Sequence, residues 1–342
     1  MQQASDLIHI SYTPDLTEGG ITYACRSFAR SCHPKGGIAI ERMRRITAKT
    51  AVELAFRHYL GNQKIPFHIN EAIPFTDPDH HDVSLGGHRC NLISTHISQR
   101  RQITLLRADP DRLLQSQALI PVEQFAAEGQ KPDEIQLFAF LLGVVAASQE
   151  DMAKASAASQ PVFLIHPLPD EWARPKTWAP LAPLVLKSEC ADPVTVEAGG
   201  MDGERNFLTV KMELPPHQRV TMEPDFHSLA YIHVQGKPNA RVGIHSPKCG
   251  SAYIIPPLGW GNLWIYGMDI WLAGWLTHEE FRRKANVLGR EQASLEYIRP
   301  HTKTLTVPVR ELNPCNPLFH RVKAWAEEKA VYTTSHARSE LE

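Results

Sequence analysis

Two adjacent glycines, Gly86 and Gly87, separate two short runs in which apolar and polar residues alternate. A glycine pair in this setting is typical of a two-residue β-hairpin loop, and such a loop fixes the register of the two strands. Because side chains alternate between the faces of a strand, Val83 then faces Cys90 on an apolar side that fits a core. The opposite face carries His80, Asp82, Ser84, Arg89, Asn91 and Ile93.

Helical and extended patterns follow one another in the first half of the chain. Helical spacing of apolar residues predicts helices from Arg42 to Leu60, from Asp109 to Gln115 and from Pro132 to Ala158. Alternation predicts strands from Ile65 to Ile73 and from Asp82 to Ile97. A helix, then strands, then helices indicate an α/β or α+β fold.

The chain has 342 residues, which exceeds the size at which one hydrophobic core usually stops growing. Two domains are therefore expected, the first over residues 1–158. Residues 159–193 are rich in proline and contain Trp172 and Trp178. Such large apolar groups are rare in flexible linkers, so this segment is expected to be an ordered connection.

Residues 194–342 have a different texture, with short alternating runs such as Phe207 to Leu214 separated by Gly and Pro. This pattern predicts a β-rich second domain. A helix is expected from His278 to Val287, opened by the capping box of Thr277 and Glu280, and another from Asn316 to Ala330.

The helix that bears Glu53 and the hairpin that follows it resemble the PD-(D/E)XK, or restriction-endonuclease-like, nuclease superfamily. The resemblance covers about residues 40–105. It implies a central mixed sheet flanked by helices, and a site in which Glu53, Asp82 and the residue at Asn91 hold Mg²⁺ or Mn²⁺ against a scissile phosphate. A lysine that positions the attacking water is expected two residues after the second acid. Hard cations need clustered oxygen ligands, which paired strands can supply.

The motif is incomplete at two positions. Asn91 stands where the family has its second acid, which removes one negative charge from the cation site. Ile93 stands where the family has its lysine, and isoleucine can neither donate a hydrogen bond nor stabilise a hydroxide. His80 and Arg89 lie on the same face of the predicted hairpin and are the nearby candidates to replace the lysine. The resemblance therefore predicts a metal-dependent DNA endonuclease with impaired catalysis.

Ordinary structural roles are the alternative for each of these signals. Glu53 precedes Arg57 by four residues, so an ion pair along the helix explains it without chemistry. Asp82 could simply end a turn. The 17 histidines of the chain suggest a transition-metal site, but their spacing matches no known motif. The aromatic residues from Trp260 to Trp275 are expected in a core, because the residues between them are also apolar.

Two basic clusters flank the proposed site along the chain and predict contacts with DNA phosphates. These residues are Arg42, Arg44, Arg45 and Lys49 before the helix acid, and Arg100 and Arg101 after the hairpin. Solvated surface charge is the alternative for both clusters. The formal net charge of -1 provides no overall positive field, so any contact with DNA must come from a local patch.

The start of the chain lacks the pattern of a secretory signal, and its longest apolar stretch is too short and too polar to cross a membrane. Six cysteines without CxxC spacing favour reduced thiols in the cytoplasm. The resemblance alone implies a DNA-processing protein of a mobile element or defence system. One alternative is a catalytically silent subunit that binds DNA or docks on a partner protein. A third is a ligand-binding or scaffold protein that acts through its β domain.

Overall fold

The computed structural model contains both helices and strands. It describes residues 2–30, 39–69, 83–126, 130–145, 148–158, 162–264, 266–288 and 303–339. The α-helices are α1 (Pro14–Arg30), α2 (Ala39–Asn62), α3 (Arg100–Ala108), α4 (Val122–Phe125), α5 (Gln149–Ala157), α6 (Asp170–Ala173), α7 (His278–Lys284) and α8 (Cys315–Ser339). Short 3-10 helices cover Ala4–Asp6, Pro110–Gln115, Pro247–Cys249 and Val309–Glu311.

Strands occur along the whole chain. They are β1 (Ile8–Ser11), β2 (Phe67–His68), β3 (Val83–Leu85), β4 (His88–Ile97), β5 (Gln117–Pro121), β6 (Ile135–Val144), β7 (Phe163–Pro167), β8 (Val185–Ser188), β9 (Val194–Met201), β10 (Phe207–Leu214), β11 (Arg219–Thr221), β12 (Ser228–Gln235), β13 (Val242–His245), β14 (Tyr253–Ile255), β15 (Gly261–Trp264), β16 (Tyr266–Thr277), β17 (Asn286–Val287) and β18 (Thr304–Pro308). The protein is therefore of the mixed α/β (α+β) class, as its sequence patterns predict.

The chain forms two compact units, and neither is continuous in sequence. The first unit comprises Met1–Tyr12, Val52–Gly143 and Met268–Glu342, and the second comprises Thr13–Ala51 and Val144–Gly267. These units do not coincide with the predicted boundaries at residues 158 and 194. Strand β18 pairs with β5, so a strand of the predicted second domain completes a sheet of the first. Local composition carries no signal for such long-range pairing.

The larger sheet of the first unit has the strand order β1-β16-β6-β4-β3-β2. It is a mixed sheet, because β3 and β4 are antiparallel whereas β4 and β6 are parallel. All ten residues of β6 are buried. The predicted helix from Pro132 to Ala158 is wrong over β6. A continuous apolar run suits a strand that is covered on both faces, and it looks the same as a buried helix in the sequence.

Helices of the first unit follow the predicted patterns more closely. The part of α2 that lies in this unit buries Phe56 and Leu60, both 0% exposed. Phe319 of α8 packs 6.3 Å from the Phe56 ring. The capping box at the start of α7 is present, with Glu280 N donating to Thr277 Oγ1 at 3.1 Å and Thr277 N donating to Glu280 Oε2 at 2.9 Å. The start of this helix is thus specified by local sequence, whereas the helix ends at Lys284 and not at the predicted Val287.

The second unit is rich in β structure. One sheet has the order β10-β9-β12-β7-β15, and another has the order β11-β8-β13-β14. Alternate residues of both sheets share one hydrophobic core, among them Leu164, Leu186, Val196, Ile232 and Val242. The short strands that alternation predicts in this region are therefore confirmed, and β10 spans the predicted residues.

Part of the proline-rich segment belongs to this core. Strand β7 lies inside the larger sheet of the second unit, between β12 and β15. Trp172 of α6 is 0% exposed and packs in the same core. The described part of residues 159–193 therefore supplies a strand and a central side chain of the second unit, where the sequence pattern predicts a connection between domains. The large apolar side chains of this segment had indicated that it is ordered, and the burial of Trp172 agrees with that.

Among the residues that the structure describes, no helix is both long enough and apolar enough to cross a membrane.

Candidate functional site

The predicted hairpin is present with the predicted register. Val83 pairs with Cys90, Ser84 with Arg89 and Leu85 with His88. Gly86 has φ 57° and Gly87 has φ 84°, a conformation that two-residue hairpin loops require and that glycine adopts without strain. The apolar face is fully buried, with Val83, Leu85 and Cys90 at 0% exposure. Of the candidate site residues, Ser84, Arg89 and Asn91 lie on the opposite face, as the alternation predicts.

Asn91 occupies the position of the second acid, and its side chain has a carboxylate partner. Its Nδ2 donates a hydrogen bond to Oε1 of Glu134, which precedes β6. The Glu134 carboxylate is 3% exposed, and its Oε2 also accepts a hydrogen bond of 3.3 Å from the backbone N–H of Lys131. Parallel pairing places Gln136 opposite Asn91. The amide thus helps to satisfy a buried carboxylate, a role that a second aspartate could not fill.

Glu134 is the residue at this site that sequence reasoning missed. Only the parallel pairing of β4 with β6 brings it next to Asn91. In the sequence, Glu134 begins an apolar run that has the spacing of a helix. An acid immediately before such a run is common and gives no indication of a partner more than forty residues away.

Ile93 occupies the position of the lysine and is part of the apolar core. Its exposure is 7%, and its partner in β6 is Phe138. The Phe138 ring stacks on Phe281 of α7, with ring centroids 5.5 Å apart. The position therefore offers packing and no hydrogen-bond donor.

Glu53 forms an ion pair with Arg57 one helical turn later. The Glu53 side chain is 18% exposed and that of Arg57 is 24% exposed, so the pair is partly shielded from water. The ion-pair interpretation of Glu53 is therefore confirmed, and the cation next to this carboxylate competes with any metal ion. Asp82 and His80, the remaining acid and one candidate lysine substitute, lie outside the described residues. Arg89, the other candidate, is half-buried opposite Ser84.

Among the described residues, no group of three His, Cys, Asp or Glu side chains converges to hold a metal ion. Glu53 is engaged by Arg57, and the Asn91 amide is engaged by Glu134. Two histidines that suggested a transition-metal site also have partners, because His88 contacts Asp133 at 3.1 Å and His96 contacts Gly143 O at 2.8 Å.

The basic residues before Glu53 belong to the second unit, whereas the hairpin belongs to the first. Arg44 donates to the backbone carbonyls of Asn262 at 2.6 Å and Leu263 at 3.1 Å. Burial lowers the pKa of its guanidinium, partly offset by Glu41, which raises it. Arg44 therefore has a structural role in fastening α2 to β15.

The other basic residues remain at or near the surface. Arg45 is exposed, whereas Arg42 and Lys49 are half-buried. Arg100 and Arg101 are both exposed at the start of α3, in the same unit as the hairpin. In the aromatic run, Trp260 is 4% exposed and packs in the core of the second unit, as expected.

Comparisons of the chain with protein-family models, with curated proteins and with solved structures found no match.

Proposed function

We propose that the protein binds DNA through a nuclease-like fold in which cleavage is impaired. The observation that carries the proposal is the hairpin of β3 and β4, which has the predicted register and lies in a mixed sheet. Helix α2 carries Glu53 in the order along the chain that the nuclease resemblance requires. The setting we propose is the cytoplasm, in a mobile element or defence system.

Two side chains support the loss of cleavage. Asn91 has a neutral amide where the family has an anionic ligand, and this amide already donates a hydrogen bond to the buried carboxylate of Glu134. Ile93 is packed against Phe138 and cannot provide the charge of a lysine. Removal of one donor that stabilises a transition state typically costs about 10²–10³-fold in rate. The unmodified protein should therefore cleave DNA very slowly or not at all with Mg²⁺ or Mn²⁺.

Nucleic-acid contact requires local positive charge, because the net charge of the chain is -1. In the first unit, Arg100 and Arg101 are exposed near the hairpin in the sequence. Guanidinium groups bind phosphates with two parallel hydrogen bonds, and they need no particular base sequence.

The experiment combines a cleavage assay and a binding assay on the full chain. Plasmid and oligonucleotide substrates are incubated with Mg²⁺ and with Mn²⁺, and DNA binding is measured at two salt concentrations. The expected result is salt-dependent binding with little or no cleavage. Robust cleavage that Asp82→Ala abolishes would contradict the impaired site. Absence of binding and cleavage would contradict the proposal and favour a scaffold or ligand-binding protein.

A silent subunit that docks on a partner enzyme is a second candidate, and the burial of Ile93 favours it. In that case DNA binding without cleavage persists when Asn91→Asp and Ile93→Lys are combined. A measurable gain of cleavage in this double variant would favour a recently impaired nuclease.

A further inference from the structure

The four-stranded sheet of the second unit has two faces of opposite character. Along β8 and β13, alternate residues point into the core, where Leu186, Val242 and Ile244 are 0% exposed. The residues between them point away from the core, because successive side chains alternate between faces. The sequence patterns did not predict a binding site on this outward face.

Strand pairing aligns four residues in one row across the outward face. Arg219 of β11 pairs with Lys187 of β8, Lys187 pairs with Gly243 of β13, and Gly243 pairs with Ile254 of β14. In the next row, Val185 pairs with His245. Neighbouring strands lie about 4.8 Å apart, so the two cations of the first row are held close together. We call the surface of these six residues the cationic sheet face.

The cationic sheet face forms a shallow cavity. Its volume is about 460 Å³, and its lining also includes Glu189 and Arg241 at one edge. The Ile254 side chain packs against Gly243, because a Cβ there would lie 3.1 Å from Ile254 Cδ1. Ile254 is 46% exposed, and Arg219 and His245 are also exposed. The face thus combines apolar surface at Ile254 with cationic groups.

The charges on this face are not balanced. Arg241 is neutralised by Glu189, with its Nε 2.8 Å from Oε2 and its Nη2 3.2 Å from Oε1. Lys187 also lies near enough to Glu189 to help lower the pKa of that carboxyl, after the larger effect of the hydrogen bond from Arg241. Three cations, Lys187, Arg219 and Arg241, therefore line the cavity with one carboxylate, Glu189. This net positive charge suits the phosphates of an extended polyanion.

The face of a sheet, unlike its edge, offers no free backbone groups, since these are used in pairing. An acidic peptide could not extend the sheet there. A nucleic-acid backbone needs only side-chain cations for its phosphates and apolar surface for its sugars.

We propose that the cationic sheet face binds the phosphodiester backbone of a DNA strand, with phosphates at Lys187 and Arg219 and a sugar against Ile254. The proposal rests on the DNA binding put forward above and assigns it to the second unit. The fold then contacts DNA through residues that are separate from the impaired nuclease-like hairpin.

The test compares two double variants of the full chain that have the same net charge. Lys187→Gln with Arg219→Gln removes both proposed phosphate contacts, whereas Lys237→Gln with Lys248→Gln removes two cations of the same unit that do not line the cavity. Binding to a single-stranded oligonucleotide and to a duplex is measured over a range of salt concentrations. The first variant should lose affinity by on the order of tenfold near 0.1 M salt. The slope of log K plotted against log salt concentration should also become shallower, by about 1.4 for the single strand or about 1.8 for the duplex. The control should bind like the unmodified protein.

Each outcome decides the proposal. If the unmodified protein binds DNA and the first variant binds equally well, the assignment to this face is wrong while the proposed function stands. If both variants lose the same affinity, only overall charge matters and the assignment is wrong. If the unmodified protein does not bind DNA, both proposals are wrong.

A second measurement does not depend on the folding of a variant. Lysine acetylation of the unmodified protein, read by mass spectrometry, should slow at Lys187 when the oligonucleotide is bound and should continue at Lys248. Equal acetylation of Lys187 with and without DNA would overturn the proposal. Tighter binding of poly-glutamate than of an oligonucleotide with equal charge would also overturn it and would favour an acidic protein partner.

Discussion

The side-chain amide of Asn91 donates a hydrogen bond to the Glu134 carboxylate, across the parallel pair formed by β4 and β6. Glu134 is 3% exposed, so its charge depends on the donors that surround it. This contact gives the asparagine at the acid position of the motif a structural role. The asparagine lacks a ligand charge, and it also supplies a donor that the neighbouring carboxylate uses.

Asn91→Asp should destabilise the protein at neutral pH. The change removes a donor and places a second carboxylate against Glu134, which costs about 1–3 kcal/mol for the lost hydrogen bond alone. Repulsion raises the pKa of the carboxylate pair, so the penalty is present at high pH and falls as one group takes up a proton at lower pH. Urea unfolding at pH 7.5 and pH 5 should show a larger loss at pH 7.5.

The matched control for this variant combines Asn91→Asp with Glu134→Gln, which exchanges the donor and the acceptor. Most of the lost stability at pH 7.5 should return in the double variant. Wild-type stability of Asn91→Asp alone at pH 7.5 would show that the contact with Glu134 contributes nothing.

Trp172→Ala should strongly destabilise the second unit. The indole is 0% exposed in the core, and truncation of a buried tryptophan typically costs about 3–5 kcal/mol. Trp178→Ala is the control, because Trp178 is half-buried and stacks with Arg205, whose Cζ lies 5.0 Å from its ring. Chemical denaturation should give a clearly smaller loss for Trp178→Ala. Equal losses would contradict the assignment of Trp172 to the core.

His233 should make the stability of the second unit depend on pH. Burial lowers the pKa of its imidazole to about 4, partly offset by the hydrogen bond of 2.8 Å between Nδ1 and Leu164 O. The unfolded chain takes up this proton near pH 6.5 and the folded chain only near pH 4. Stability is therefore present above pH 6.5 and is lost as pH falls, by about 3 kcal/mol in total.

His233→Gln should make this loss between pH 6.5 and pH 4 smaller. Some slope should remain, because burial also lowers the pKa of His166. Unfolding free energies measured at several pH values test the expectation. An unchanged slope in His233→Gln would show that the imidazole is not held neutral in the fold.

Gly200→Ala should disrupt the pairing of β9 with β12. A Cβ at Gly200 would lie 2.0 Å from the carbonyl oxygen of Ser228, and a backbone atom in a paired strand cannot move aside. The expected loss is at least about 3 kcal/mol, at the upper end of overpacking effects. Gly61→Ala in α2 is the control, because a Cβ there meets nothing within 4 Å and alanine favours helices by about 0.5–1 kcal/mol. Thermal melting of both variants should show opposite shifts, and a stable Gly200→Ala protein would contradict the close contact.

Local features of the sequence were sufficient to predict several helices and strands. The two glycines determined the hairpin and its register, because a two-residue loop leaves one way to pair the flanking residues. The capping box determined the start of α7, since both of its hydrogen bonds lie within four residues. Alternation predicted both ends of β10 correctly. At the candidate site, the i,i+4 spacing of Glu53 and Arg57 also predicted their ion pair.

Only the tertiary structure decided which distant segments meet. Periodicity tells which face of an element is apolar, but it does not tell which element covers that face. It therefore could not separate the buried strand β6 from a helix, or show that β18 completes a sheet with β5. For the same reason, Glu134 next to Asn91 and Lys187 next to Arg219 were invisible in the sequence, because strand pairing sets both neighbours.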